Sequence, residues 1–125
     1  MAYISVSGIK TYYEKSGKKG KPVVLLHGWG QNTQMMEFMA KPLSKYFVVY
    51  NIDFPGFGKS EEPDTAWGCI EYTEWLRQFC VLNNIDNPIF IAHSFGIDCN
   101  RSQIFDVVVV VVILCHFFIV LNVQH

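Results

Sequence analysis

Short apolar runs alternate along this chain with longer stretches in which apolar residues recur every third or fourth position, and that alternation lays out its elements. Tyr3 to Val6 alternates polar and apolar residues and Ile9 to Glu14 follows Gly8, which predicts two short strands joined as a hairpin. Pro22 to Leu26 is a continuous Val- and Leu-rich run, the pattern of a strand covered on both faces in a parallel sheet. Met35, Met36, Phe38, Met39 and Leu43 fall near helical spacing between Asn32 and Tyr46, predicting a helix packed on that sheet. Tyr46 to Ile52 reads as the next buried strand. Ile70, Trp75, Leu76, Phe79 and Cys80 make a helical stripe from about Cys69 to Asn83, and Ile89 to Ala92 is a further strand. Strand, helix, strand, helix, strand with short connections is the order of right-handed parallel crossovers. The predicted class is therefore α/β: an N-terminal hairpin, then parallel strands with helices on both faces.

From Ile97 the pattern changes. Asp98-Cys-Asn-Arg-Ser-Gln103 is a poor start for a packed helix, and Val107 to Val112 is six valines in succession. The apolar stretch continues to Leu121, interrupted by His116. It is shorter than the roughly 20 residues of a membrane span and is dominated by β-branched residues, so it reads as a strand or an aggregation-prone tail. Two regions are expected: residues 1–96, and a divergent apolar tail, residues 97–125, forming an extra strand or a disordered segment.

Composition narrows the partners. With 125 residues, half of them hydrophobic, the chain can bury one core of modest size. Ten Lys and Arg against eleven Asp and Glu leave a net charge of −1, which supplies no field for nucleic acid and favours a small-molecule substrate. Cys69, Cys80, Cys99 and Cys115 show no paired metal-ligand spacing and read as reduced, mostly buried thiols. Met-Ala-Tyr-Ile-Ser-Val-Ser-Gly at the start has neither a basic segment nor a continuous apolar run, so no secretory signal is visible and a cytoplasmic location is expected.

The chemistry concentrates after the apolar runs. Ala92-His93-Ser94-Phe95-Gly96 follows a strand, and a serine on a sharp strand-to-helix turn needs small neighbours such as Ala92 and Gly96. His27-Gly28-Trp29-Gly30 follows the Pro22 strand, and Asp53-Phe-Pro-Gly-Phe-Gly-Lys-Ser60 follows the Tyr46 strand. Together the three blocks resemble the α/β-hydrolase family, serine-nucleophile branch, over roughly Ile4 to Gly96. The pentapeptide is similar to that family's nucleophile elbow, with alanine in the first glycine's place.

The resemblance implies a set of roles. Ser94 maps to the nucleophile, the backbone N–H groups of Trp29 and Phe95 map to the oxyanion-hole donors, and His27, Gly28, Gly30, His93 and Gly96 map to supporting positions. It implies hydrolysis of an ester, amide or carbon–carbon bond of a small molecule by acyl transfer, with no cofactor and no metal. In this family the triad acid and then the histidine follow the serine in the chain. After Ser94 the only acids and histidines are Asp98, Asp106, His116 and His125, none of them in an expected strand-end loop, so triad acid and base are unassigned. Asp53, ahead of the serine, reads as a loop organiser. The lid and C-terminal strands of the family are not recognised, from which a truncated domain, inactive alone, is expected, with a sheet edge beside the fifth strand open to self-association.

Gly56-Phe57-Gly58-Lys59-Ser60 is not a phosphate-binding loop, because Asp53 stands where Gly-x-x-x-x-Gly-Lys-Ser needs its first glycine. Lys18, Lys19 and Lys21 read as a solvated loop. Two alternatives to an enzyme stay open: a non-catalytic binding or assembly module, and a small membrane-associated protein using Val107 to Leu121.

Overall fold

A computed structural model describes residues 2–28, 30–92, 109–110 and 121–122. The sheet contains β1 (Ala2–Val6), β2 (Ile9–Ser16), β3 (Pro22–Leu26), β4 (Val48–Ile52), β5 (Ile89–Ala92), β6 (Val109–Val110) and β7 (Leu121–Asn122), with helices α1 (Thr33–Leu43) and α2 (Cys69–Leu82). Spatial order is β1-β2-β4-β3-β5-β6-β7. β1 and β2 form the predicted hairpin, turning through Ser7 and Gly8, both at positive φ. β2 then pairs antiparallel with β4, while β4, β3 and β5 run parallel.

Alternate residues of the parallel strands feed two cores. Val24, Leu26, Tyr50, Ile52, Phe90 and Ala92 face α2 and pack on its Tyr72, Trp75, Leu76, Phe79 and Cys80. Val23, Leu25, Val49 and Ile91 face α1 and pack on Met36, with Met35, Met39 and Leu43 at the margin. Strands so covered on both faces are continuous hydrophobic runs, which is why Pro22–Leu26 carries no polar alternation. The fold is the N-terminal hairpin and parallel sheet with a helix on each face that the sequence pattern predicts.

Three local differences have physical causes. β4 begins at Val48 rather than Tyr46, because the N–H groups of Tyr46 and Phe47 both bond Leu43 O in the turn leaving α1, and Tyr46 lies out in solvent. Ile70 is 74% exposed although it belongs to the apolar stripe of α2; its place in the core is taken by Tyr72, whose hydroxyl donates to Pro55 O at 2.8 Å. Phe38 is likewise exposed on α1 while Met36 is fully buried. Among the described residues no helix is long and apolar enough to cross a membrane.

Candidate active site

Strand register decides what meets at the site. Leu26 at the end of β3 pairs with Ile52 of β4 on one side and with Ala92 of β5 on the other. Three parallel strands thus end level, about 4.8 Å apart, at the carboxyl edge of the sheet. In the chain these strands are followed by the three motif blocks, 27–30, 53–60 and 93–96, the last of which lies outside the described residues.

The first block is anchored by His27, which is fully buried and packed edge-on against Phe54 and Phe57, at ring-centroid distances of 5.0 and 5.6 Å. Phe54 N–H donates to His27 Nε2 at 3.0 Å, so Nε2 carries the lone pair and Nδ1 carries the proton. Nδ1–H then donates to Gly28 O at 2.7 Å. Burial lowers the pKa of the ring, holding it neutral against the opposing pull of the Gly28 carbonyl and Asp53. With both ring nitrogens engaged, His27 has no lone pair left to accept a proton from a nucleophile. Its position ties the β3 loop to the β4 loop.

Asp53 organises the second block. Its Oδ1 accepts Thr33 N–H at 2.7 Å at the start of α1, and its Oδ2 accepts Lys59 N–H at 2.8 Å. Its own N–H donates to Tyr12 O, and its carbonyl accepts the Ser60 hydroxyl at 2.7 Å. Ser60 Oγ in turn accepts Tyr12 N–H at 2.9 Å, so the loop is stitched back to β2. The chain curls over the carboxylate through Gly58, at φ +53, where an added Cβ would lie 2.2 Å from Asp53 Oδ2. Only glycine fits that approach. A carboxylate with both oxygens bonded to backbone N–H groups inside a loop is a structural node rather than the orienting acid of a triad.

Gln31 was not singled out by sequence reasoning, yet it closes the first block. Its side-chain Oε1 accepts Gly28 N–H at 2.9 Å and its own N–H donates to Gly28 O at 3.1 Å. Ser60 was noted only as the end of a motif. For both, the partner is backbone, and a single polar residue in a loop gives no periodic signal of that.

Gly28 and Gly30 stand in the loop where the sequence puts them. Trp29, His93, Ser94, Phe95 and Gly96, and with them Asp98, Asp106, His116 and His125, lie outside the described residues. Among the described residues no group of three or more His, Cys, Asp and Glu side chains is placed to hold a metal. Cys80 is a packing thiol, pushed up to about 12 by burial.

Residues 23–118 match the alpha/beta hydrolase family, a span that runs past the change of pattern at Ile97. Among curated proteins, the chain is 42% identical over 85 residues to the pimeloyl-(acyl-carrier protein) methyl ester esterase of Vibrio cholerae, covering 68% of this chain and 31% of that protein. Among solved structures it is similar to an N-acyl homoserine lactone degrading enzyme, with TM-score 0.75, 26% identity, 81% of this chain and 39% of that one. It is also similar to a marine microorganism esterase, with TM-score 0.65, 30% identity, 69% of this chain and 33% of that one. The chain spans about a third of the length of these relatives.

Proposed function

The chain belongs to the alpha/beta hydrolase family, and from that premise we propose that it carries the nucleophile and oxyanion side of a serine ester hydrolase. Ser94 attacks the ester carbonyl carbon, the N–H groups of Trp29 and Phe95 hold the oxygen of the tetrahedral intermediate, and the alcohol leaves. Water then releases the acid from the acyl-enzyme. The substrate class is a small carboxylic ester or lactone, the chemistry named in the esterase and lactone-degrading relatives. The reaction uses no metal or cofactor.

The observation that carries this reading is the register that ends Leu26 and Ala92 side by side. In the sequence the candidate donor at 29 follows β3 and the candidate nucleophile at 94 follows β5, and strand ends that lie level support bringing the two to one site. Two fixed backbone dipoles aimed at one developing charge contribute about 3 kcal/mol each without any side chain. The proton of Ser94 needs a base, and His27 is engaged on both nitrogens. The reading therefore holds that residues 1–125 alone do not turn over an ester, because no acid–histidine pair is assigned among them.

A fluorophosphonate probe with imidazole added as the base, followed by intact mass, tests the nucleophile. One adduct per chain, lost in Ser94→Ala, supports the reading; an adduct that persists in Ser94→Ala overturns it.

A further inference from the structure

Glu37, Phe38 and Lys41 lie within about one turn of α1, on the side away from Met36 and Met39, which pack on the sheet. Between that side of the helix and β2 runs an open groove of about 790 Å³, to which Glu14 of β2 and Asn51 of β4 also contribute. Its size suits a small molecule. Glu14 stands directly opposite Asn51 in the antiparallel pairing of β2 with β4, so their side chains share one face of the sheet. That face is the one α1 covers, since Asn51 follows Val49 by two residues.

Asn51 is only 1% exposed, and its amide is half used. Nδ2 donates to Thr33 O at 2.8 Å, which fixes the orientation of the group, and Oδ1 has no hydrogen-bond partner. Buried amide oxygens are nearly always paired, because leaving one unmet is costly. Packing against Thr33 accounts for the donor end of Asn51 and leaves the acceptor end without a purpose inside the fold. Beside it Glu14 is half-buried and steadied by Tyr12, whose hydroxyl donates to Glu14 Oε2 at 2.7 Å. Among the described residues no ion pair engages Glu14, Glu37 or Lys41.

The two polar groups that meet across β2 and β4 are therefore acceptors, one of them charged. What they select is a donor with positive charge, and an ammonium carries three N–H bonds on one such charge. Phe38, 56% exposed, supplies an apolar wall together with Pro42. We propose that this groove binds a small primary amine in its ammonium form: the head donates to Asn51 Oδ1 and the Glu14 carboxylate, and the hydrocarbon lies against Phe38 and Pro42. The exposure of Phe38 on an otherwise amphipathic helix then has a use. Such an amine is a second ligand, distinct from the ester.

Hexylamine titrated at neutral pH into the isotope-labelled 125-residue chain, followed by amide NMR shifts, tests this. The Asn51 side-chain NH2 and the backbone amides of Glu14, Phe38 and Lys41 shift and saturate in the millimolar range, while Val24 and Phe90, which face α2, stay still. Hexanol has the same chain and no charge, and it binds at least about tenfold more weakly. Glu14→Gln weakens hexylamine binding by about tenfold, the loss of one charge-assisted bond. Shifts that do not saturate, or hexanol binding as tight as hexylamine, overturn the proposal, and both are read on the wild-type chain without any variant having to fold. Unchanged hexylamine affinity in a folded Glu14→Gln overturns it as well.

Discussion

His27 and Phe54 are joined by a 3.0 Å hydrogen bond from the Phe54 backbone N–H to the imidazole Nε2, across the gap between two parallel strand ends. The bond requires a neutral ring with its proton on Nδ1, and burial, which lowers the pKa, favours that state. Protonation would put a second N–H against the Phe54 donor and break the link between the two loops.

A pH dependence of stability follows, with a definite sign. The folded pKa of His27 lies below the unfolded value of about 6.5, so the unfolded chain binds more protons as pH falls through about 6.5. Stability present above that pH is lost below it, by at most about 1.4 kcal/mol per pH unit from this group. Urea midpoints between pH 5 and 8 should therefore fall on the acid side. His27→Gln, which keeps an acceptor for Phe54 N–H, should flatten that part of the curve; an unchanged slope in the variant would show that another group is responsible.

Gly58 and Gly30 both have positive φ, but their substitutions should differ. Gly30→Ala meets open space and costs only backbone strain, about 1–2 kcal/mol. Gly58→Ala adds a Cβ 2.2 Å from the Asp53 carboxylate, and displacing that carboxylate endangers its bonds to Thr33 and Lys59 N–H. We expect a loss of about 3 kcal/mol or more in urea unfolding. Equal losses for the two variants would contradict this description of the Asp53 loop.

Asp53→Asn should cost about 2–3 kcal/mol. Each carboxylate oxygen accepts a backbone N–H, and an asparagine amide would turn an NH2 group toward one of those two donors. Thermal unfolding of Asp53→Asn beside Asp53→Ala checks the cause: asparagine should do no better than alanine, and near-wild-type stability for asparagine would show that only one of the two bonds matters.

Much of this fold is legible in the sequence because strands buried on both faces and amphipathic helices leave different periodicities. Pro22–Leu26, Ile89–Ala92 and the Met36 and Trp75 helices are read from that signal alone. Tyr46 and Ile70 are misplaced by the same reading, since an apolar residue at helical or strand spacing says nothing about whether a turn or a neighbouring tyrosine has already claimed the core position. The loops divide similarly. Asp53 is readable as an organiser from its Gly- and Pro-rich surroundings, whereas the two bonds between Gln31 and Gly28 are not, because the partners are backbone atoms three residues away. The tautomer of His27 needs Phe54, a residue that only the pairing of β3 with β4 brings near.

Ser94 is proposed as the nucleophile, with no base assigned to it among residues 1–125. Chemical rescue tests it most directly: phosphonylation of the 125-residue chain followed by intact mass, with increasing imidazole as an added base. The account predicts an adduct at Ser94 whose rate rises with imidazole, absent in Ser94→Ala at every concentration. An adduct rate independent of imidazole would show that the chain already holds its base, and an adduct that survives in Ser94→Ala would show that Ser94 is not the nucleophile.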